Sequence, residues 1–199
     1  MAKFDHFNLI SPIYDWVFKR RNNHKLSELL GLTPHHILLD IGGGTGRVAS
    51  HFVATSDHTF VADAAVKMLR EAQKKGISTI NVHSERLPFC NYAFDRIIMV
   101  DAFHHVIDQQ ATLDEIWRTL TPGGRLVIEE PDINNFFVKL IALGEKLLLM
   151  RSKFIKPQDI LAMVSYNDVK NIQLCSEKGI AWAIIDKDNY TQNQGEIDG

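Results

Sequence analysis

Through most of the chain, short apolar runs alternate with stretches whose apolar residues recur three and four positions apart. The runs at 37–41, 59–63, 79–82, 95–100 and 125–129 have the length and β-branched content of strands. Between them, 66–75 closes on Gly76, and 108–120 carries Leu113, Ile116, Trp117 and Leu120 at helical spacing. Parallel strands need long connections, so this alternation predicts a parallel sheet with crossover helices. Ahead of the first strand, Leu26, Leu29 and Leu30 followed by Gly31 and Pro34 predict a short amphipathic helix, preceded by another over 11–21. Helices are expected again over 134–150 and over 157–164, the latter with Pro157 in its first turn. The β-like runs 169–176 and 180–187, separated by Glu177-Lys178-Gly179, are close enough to pair as an antiparallel hairpin.

The expected class is therefore α/β: a single doubly wound domain with a seven-stranded mixed sheet and a C-terminal antiparallel hairpin. Residues 1–30 form an N-terminal helical segment and candidate lid, 31–188 the body, and 189–199 a polar tail. With 199 residues, 45% hydrophobic and 23% charged, the chain is long enough for one substantial core. Its net charge of -2 supplies none of the positive field of a nucleic-acid binder, which favours a small-molecule partner. Cys90 and Cys175 fit neither a metal spacing nor a disulfide framework. The N-terminus lacks the unbroken apolar core of an export signal. The most apolar stretch, 136–150, is interrupted by Lys139, Gly144, Glu145 and Lys146 and falls short of the roughly 20 apolar residues that span a bilayer. A cytoplasmic protein without a transmembrane segment is expected.

The candidate chemistry begins where the first apolar run ends, at Asp40-Ile41-Gly42-Gly43-Gly44-Thr45-Gly46, which leads into Val48, Ala49 and Phe52. Glycine lets a ligand approach the backbone, and a following helix would present unpaired N–H groups to a carboxylate or phosphate alike. Asp63, at the end of the second run, can accept from two ribose hydroxyls. Turn and acid together point to a nucleoside-containing ligand. Gly44-x-Gly46-x-x-Ala49 also satisfies the relaxed dinucleotide fingerprint, but in a register that leaves Gly42 and Gly43 spare. Asp40 suits an ammonium better than a pyrophosphate, which it would repel.

Asp40-x-Gly42-x-Gly44-x-Gly46 followed by Asp63 resembles motif I and the second-strand acid of the class I S-adenosylmethionine-dependent methyltransferases. The resemblance continues through Glu85-Arg86-Leu87-Pro88-Phe89, Ala93-Phe94-Asp95-Arg96-Ile97-Ile98, Ala102-Phe103-His104-His105 and Leu120-Thr121-Pro122-Gly123-Gly124-Arg125-Leu126. Order and spacing are similar to the small-molecule branch that includes ubiquinone and menaquinone biosynthesis C-methyltransferases. The resemblance implies a Rossmann-like methyltransferase domain, S-adenosylmethionine as cofactor with S-adenosylhomocysteine as product, and a small-molecule acceptor. It implies cofactor contacts from Asp40, Gly42, Gly43, Gly44, Gly46, Asp63, Ala64, Ser84, Glu85 and Asp101, with Tyr14 in a covering segment. One position departs from the family: His83 stands where an acid usually receives the adenine amino group.

Methyl transfer from a sulfonium asks the protein mainly to hold the acceptor and manage one proton. His104 and His105 follow the fourth strand at the edge where ligands bind in open α/β sheets, and either can serve as a base near neutral pH. His104 is preferred, the first of the pair being nearer the methyl group by family resemblance; a packing role for one and a solvated role for the other is the alternative. Glu129, Glu130 and Asp132 at the end of the fifth strand are candidates for acceptor binding or ordinary solvated loop acids. The apolar helix expected over 134–150 could roof an acceptor pocket, join a homodimer interface, or be core. No Asn-Pro-Pro-Tyr follows the fourth strand, where Asp101-Ala102-Phe103-His104 stands, so resemblance to amino-directed nucleic-acid methyltransferases fails. A nicotinamide-dependent oxidoreductase and a noncatalytic cofactor-binding protein remain as rival readings.

Overall fold

The computed structural model describes residues 23–56, 58–134 and 156–189. The expected helices over 11–21 and 134–150 lie outside the described residues apart from Asn134, as do Tyr14 and the polar tail beyond Asn189.

The chain opens with α1 (Asn23–Leu30), β1 (Ile37–Ile41), β2 (His58–Asp63), α2 (Val66–Lys74), β3 (Ser78–Asn81) and β4 (Phe94–Val100). It continues with α3 (Gln109–Thr119), β5 (Leu120–Pro131), α4 (Pro157–Met163), β6 (Val169–Glu177) and β7 (Ile180–Lys187). The strands form one seven-stranded sheet in the order β3-β2-β1-β4-β5-β7-β6. Pairing is parallel from β3 to β5, and β7 runs antiparallel between β5 and β6. The mixed sheet with its C-terminal hairpin is the one that the hydrophobic pattern predicts.

Alternation along each strand divides the core into two layers. Leu38, Ile98, Val127 and Ile184 face Leu26 and Leu30 of α1 together with Val48 and Phe52. Leu39, Ile97, Met99, Leu126 and Ile185 face Leu113, Ile116 and Trp117 of α3 and Ile160 of α4. The Asp108 side chain accepts from the Ala111 N–H at 3.0 Å and so starts α3 with a side-chain cap. The last carbonyls of α1 are satisfied by guanidinium groups from the sheet: Arg96 Nε donates to Leu30 O at 2.9 Å and Arg125 Nη1 to Leu29 O at 2.7 Å. Residues 23–30, placed by the sequence in the N-terminal segment, are thus packed and bonded to the body.

Two expectations change. No α-helix follows the glycine turn: the chain makes turns and a short 3-10 helix, Ala49–His51. Among residues 47–56 only Arg47, Ala49 and Ala54 are strong helix formers, and the bonds His51 N→Val48 O (3.0 Å) and Phe52 N→Ala49 O (2.9 Å) close three-residue turns. The Pro122-Gly123-Gly124 turn does not precede the fifth strand but bulges within it. Phe94 pairs with Leu120 and Arg96 with Arg125, leaving 121–124 opposite Asp95 alone. Among the described residues no helix is long and apolar enough to cross a membrane.

Candidate active site

β1 and β4 are neighbours, and the chain leaves β1 toward β2 on one side and β4 toward β5 on the other. At such a switch point the loops diverge and open a crevice at the carboxyl ends of the strands. A cavity of about 610 Å³ lies there, walled by the loops after β1, β2, β3 and β4. Asp40, Gly42, Gly43, Gly44, Asp63, Ala64, Ser84, Glu85, Asp101 and His105 are all on its wall. These candidates come from the ends of β1 and β2 and from the loops after β1, β2, β3 and β4, so the fold brings together what the sequence disperses.

Asp40 occupies a core position of β1, paired with Val61 on one side and Ile98 on the other. It is 1% exposed, and among the described residues neither carboxylate oxygen has a hydrogen-bond partner. Burial pushes its pKa up to about 7, opposed by the nearby Ala49 amide and the Arg47 charge and reinforced by Asp63. The Ala49 amide acts on the carboxyl without completing a bond by distance and angle. A buried acceptor left this way is costly unless something cationic completes it. A Cβ at Gly43 would fall 2.5 Å from Asp40 Oδ2, so glycine is needed there for the backbone to pass over the carboxylate.

Asp63 at the end of β2 does more than face a ligand. Its Oδ2 accepts from Gly44 N at 2.9 Å and its Oδ1 from Ala65 N at 2.7 Å, so the carboxylate fixes the glycine turn against the start of α2. The second lone pairs stay compatible with ribose hydroxyls. Glu85 is also committed to the wall itself, its Oε1 accepting from Ile107 N at 3.1 Å and Asp108 N at 3.4 Å. His83 is exposed on the wall. Asp101 holds a left-handed backbone at φ 51°, a strained conformation for a non-glycine residue at the ligand edge.

Several placements differ from the sequence expectation. Gly46 is not on the wall: it has φ 67°, and a Cβ there would meet Ile77 Cδ1 at 2.7 Å, so packing against the region of α2 requires this glycine. His104, preferred as the base, is 1% exposed and off the wall, with Nδ1 bonded to Glu130 Oε2. His105 faces the cavity instead, its ring against that of His104 at 3.9 Å between centroids. Although exposed toward the cavity, its imidazole is crowded by protein; desolvation first and His104 second push its pKa down to about 4, leaving it neutral at pH 7. The acids at the end of β5 and just after it are absent from the wall. Glu129 accepts from Trp182 Nε1 at 2.7 Å, Glu130 from Phe103 N at 2.8 Å, and Asp132 from Asn134 N at 3.0 Å. The sequence reading missed Arg47, Met68 and Ile107, the last 73% exposed at the rim. The contiguity of Arg47 with the glycine turn was the available signal for it.

Residues 39–128 match the family model described as Methyltransferase domain. The demethylmenaquinone methyltransferase of a Mycobacterium species is 32% identical over 101 residues, covering 51% of this chain and 44% of that protein. The ubiquinone/menaquinone biosynthesis C-methyltransferase UbiE of a Shewanella species is 30% identical over 140 residues, covering 65% and 55%. The chain thus spans roughly half the length of these relatives. In fold it is similar to the crystal structure of an S-adenosylmethionine-dependent methyltransferase from Thermotoga maritima, with a TM-score of 0.72, 20% identity, and coverage of 91% of this chain and 97% of that one. The nicotinamide alternative finds no support in these matches. Residues 39–128 thus match the model of a methyltransferase domain and are similar in sequence to the ubiquinone and menaquinone C-methyltransferases, and the chain has the fold of an S-adenosylmethionine-dependent methyltransferase.

Proposed function

We propose that the protein transfers a methyl group from S-adenosylmethionine to a small-molecule acceptor. The observation that carries this reading is Asp40, a buried carboxylate on the wall of the switch-point cavity with no hydrogen-bond partner among the described residues. Its environment suits an ammonium, and Asp63 across the turn suits a ribose diol. The cofactor, when bound, supplies the electrophilic methyl group. The chain's own residues then bind, orient and exclude water. Asp40 receives the ammonium, Asp63 holds turn and ribose together, and Met68, Val82 and Ile107 give the rim apolar surface for a planar base. His105 is the acceptor-side candidate: neutral at pH 7, it can accept a proton from the attacking group or orient it by a hydrogen bond.

Quinols and related phenols are the first acceptors to try, because the relatives are named for quinone methylation. A reducing cytoplasmic setting belongs to the same proposal and is compatible with Cys90 and Cys175 both being free. The test is S-adenosylhomocysteine release on incubation with S-adenosylmethionine and a panel of quinols, phenols and other small nucleophiles. Acceptor-dependent release supports the assignment. Binding of the cofactor without release on any acceptor contradicts the catalytic part and favours a binding protein of the same fold.

A further inference from the structure

We propose that Arg47 binds the carboxylate of the cofactor's amino-acid end and, with Asp40, reads that end as a zwitterion. The inference rests on the cofactor reading above and assigns a residue to it. At neutral pH the amino-acid end carries an ammonium and a carboxylate on one carbon, so it needs an anion and a cation close together. Asp40 is the buried anion. Three features of the loop after β1 make Arg47 the cation.

The first is the loss of the usual anion site. A glycine turn that opens an α-helix offers a carboxylate the free N–H groups of the first helical turn. Here only a three-residue 3-10 helix follows. The second is that three of the turn's amides are engaged within the protein: Gly42 N donates to Ala62 O at 2.7 Å, Gly44 N to Asp63 Oδ2 at 2.9 Å, and Gly46 N to Gly43 O at 2.8 Å. The third is charge. Among the described residues on the cavity wall stand four carboxylates, Asp40, Asp63, Glu85 and Asp101, and one permanent cation, Arg47. Arg47 is therefore the permanent positive charge that an anionic group entering this cavity meets among the described wall residues. Arg47 is exposed, forms no ion pair among the described residues, and stands with Asp40 on the cavity wall, joined to it by the glycine turn. A guanidinium is suited to this task because it presents two parallel donors to a carboxylate.

The consequence is selectivity for the complete amino-acid end over nucleosides or thioethers that lack it. The test is a chemical double-mutant cycle by calorimetry. Wild-type protein and Arg47→Ala are each titrated with S-adenosylhomocysteine and with its decarboxylated analogue, which keeps the ammonium and loses only the carboxylate. Removing either partner in the pair should weaken binding about tenfold to a hundredfold, the span of a charge-assisted hydrogen bond. Removing both should cost little more than removing one, and Arg47→Lys should recover part of the loss. Equal affinity of wild type and Arg47→Ala for S-adenosylhomocysteine overturns the inference and leaves the cofactor reading standing. Equal weakening of both ligands by Arg47→Ala also overturns it, because the residue would then only shape the loop. Failure of the wild type to bind S-adenosylhomocysteine removes the cofactor reading and this assignment together.

Discussion

Two buried carboxylates at the carboxyl edge of the sheet, Asp40 on β1 and Glu130 on β5, are nearly alike in depth and unlike in company. Glu130 has both oxygens engaged, one by the Phe103 amide and one by His104 Nδ1, and it stands off the cavity. Asp40 has neither oxygen hydrogen-bonded among the described residues and stands on the cavity wall. Burying a charge is unfavourable in both places, but at Glu130 the fold itself supplies the compensation. At Asp40 compensation is left to a ligand. Buried acids of this kind can therefore be sorted into those that hold the protein together and those that await something, and the two predict opposite responses to mutation.

The largest effect should come from Glu130→Ala. Removing one member of a buried pair strands the His104 ring and the Phe103 amide, at a cost of about 3 to 5 kcal/mol. Thermal or urea unfolding measures it, and a loss below about 1 kcal/mol would break the contrast with Asp40.

Asp40→Asn should do the reverse to the ligand-free protein. Because the folded pKa of about 7 lies above the unfolded value of 3.8, the wild type is most stable below the unfolded pKa, and stability falls as pH rises through the folded pKa. The fall is on the order of 4 kcal/mol if fully expressed. In urea unfolding followed from pH 4 to pH 8, the Asn variant should lose most of that slope and be the more stable protein at pH 8. A variant less stable than wild type at pH 8 would mean that Asp40 is held by the fold after all.

His105→Ala should lower turnover by about 10²-fold if the imidazole takes the acceptor proton, with little effect on S-adenosylhomocysteine affinity. The active form is neutral, so the acid limb of kcat on its account should fall only as pH drops through about 4, not near the ordinary histidine range. His104→Ala provides the contrast, and its main effect should be on the melting temperature. A larger turnover defect in His104→Ala at unchanged stability would return the catalytic role to that residue.

The smallest effect expected is at Asp63. Since its carboxylate carries the Gly44 and Ala65 amides, Asp63→Ala should lower both cofactor affinity, by about tenfold, and stability, by about 1 kcal/mol. Parallel calorimetry and melting would separate the two, and an affinity loss without any stability loss would restore a purely ligand-facing role.

Much of this arrangement is legible in the chain. The apolar runs of β1 and β4 give the strands, and the order of glycine turn, second-strand acid and later motifs gives the cavity its walls. The rest depends on geometry that spacing does not carry. His104 and His105 are adjacent in a 3-10 turn, where one residue's step rotates the side chain by roughly a third of a circle, so adjacency alone could not say which faces the ligand. Gly46 belongs to the same motif as Gly42 but answers to Ile77 rather than to the cavity, a contact between residues far apart in sequence. The bulge at 121–124 reads as a turn because Pro-Gly-Gly is turn chemistry wherever it occurs; only the pairing of Leu120 with Phe94 puts it inside a strand. Glu130 stays open in the sequence between acceptor binding and a solvated loop acid because its partner, His104, is supplied by the loop after β4.

The most direct test of the claim that Asp40 is reserved for the cofactor is calorimetric titration of S-adenosylhomocysteine into wild type and Asp40→Asn at pH 6 and pH 8. Ionised Asp40 is the form that holds the ammonium, so wild-type affinity should weaken by roughly tenfold from pH 8 to pH 6. The Asn variant should bind at least about tenfold more weakly than wild type at pH 8 and lack that dependence. Wild type and variant binding equally at pH 8, or the same pH dependence in both, would contradict the claim.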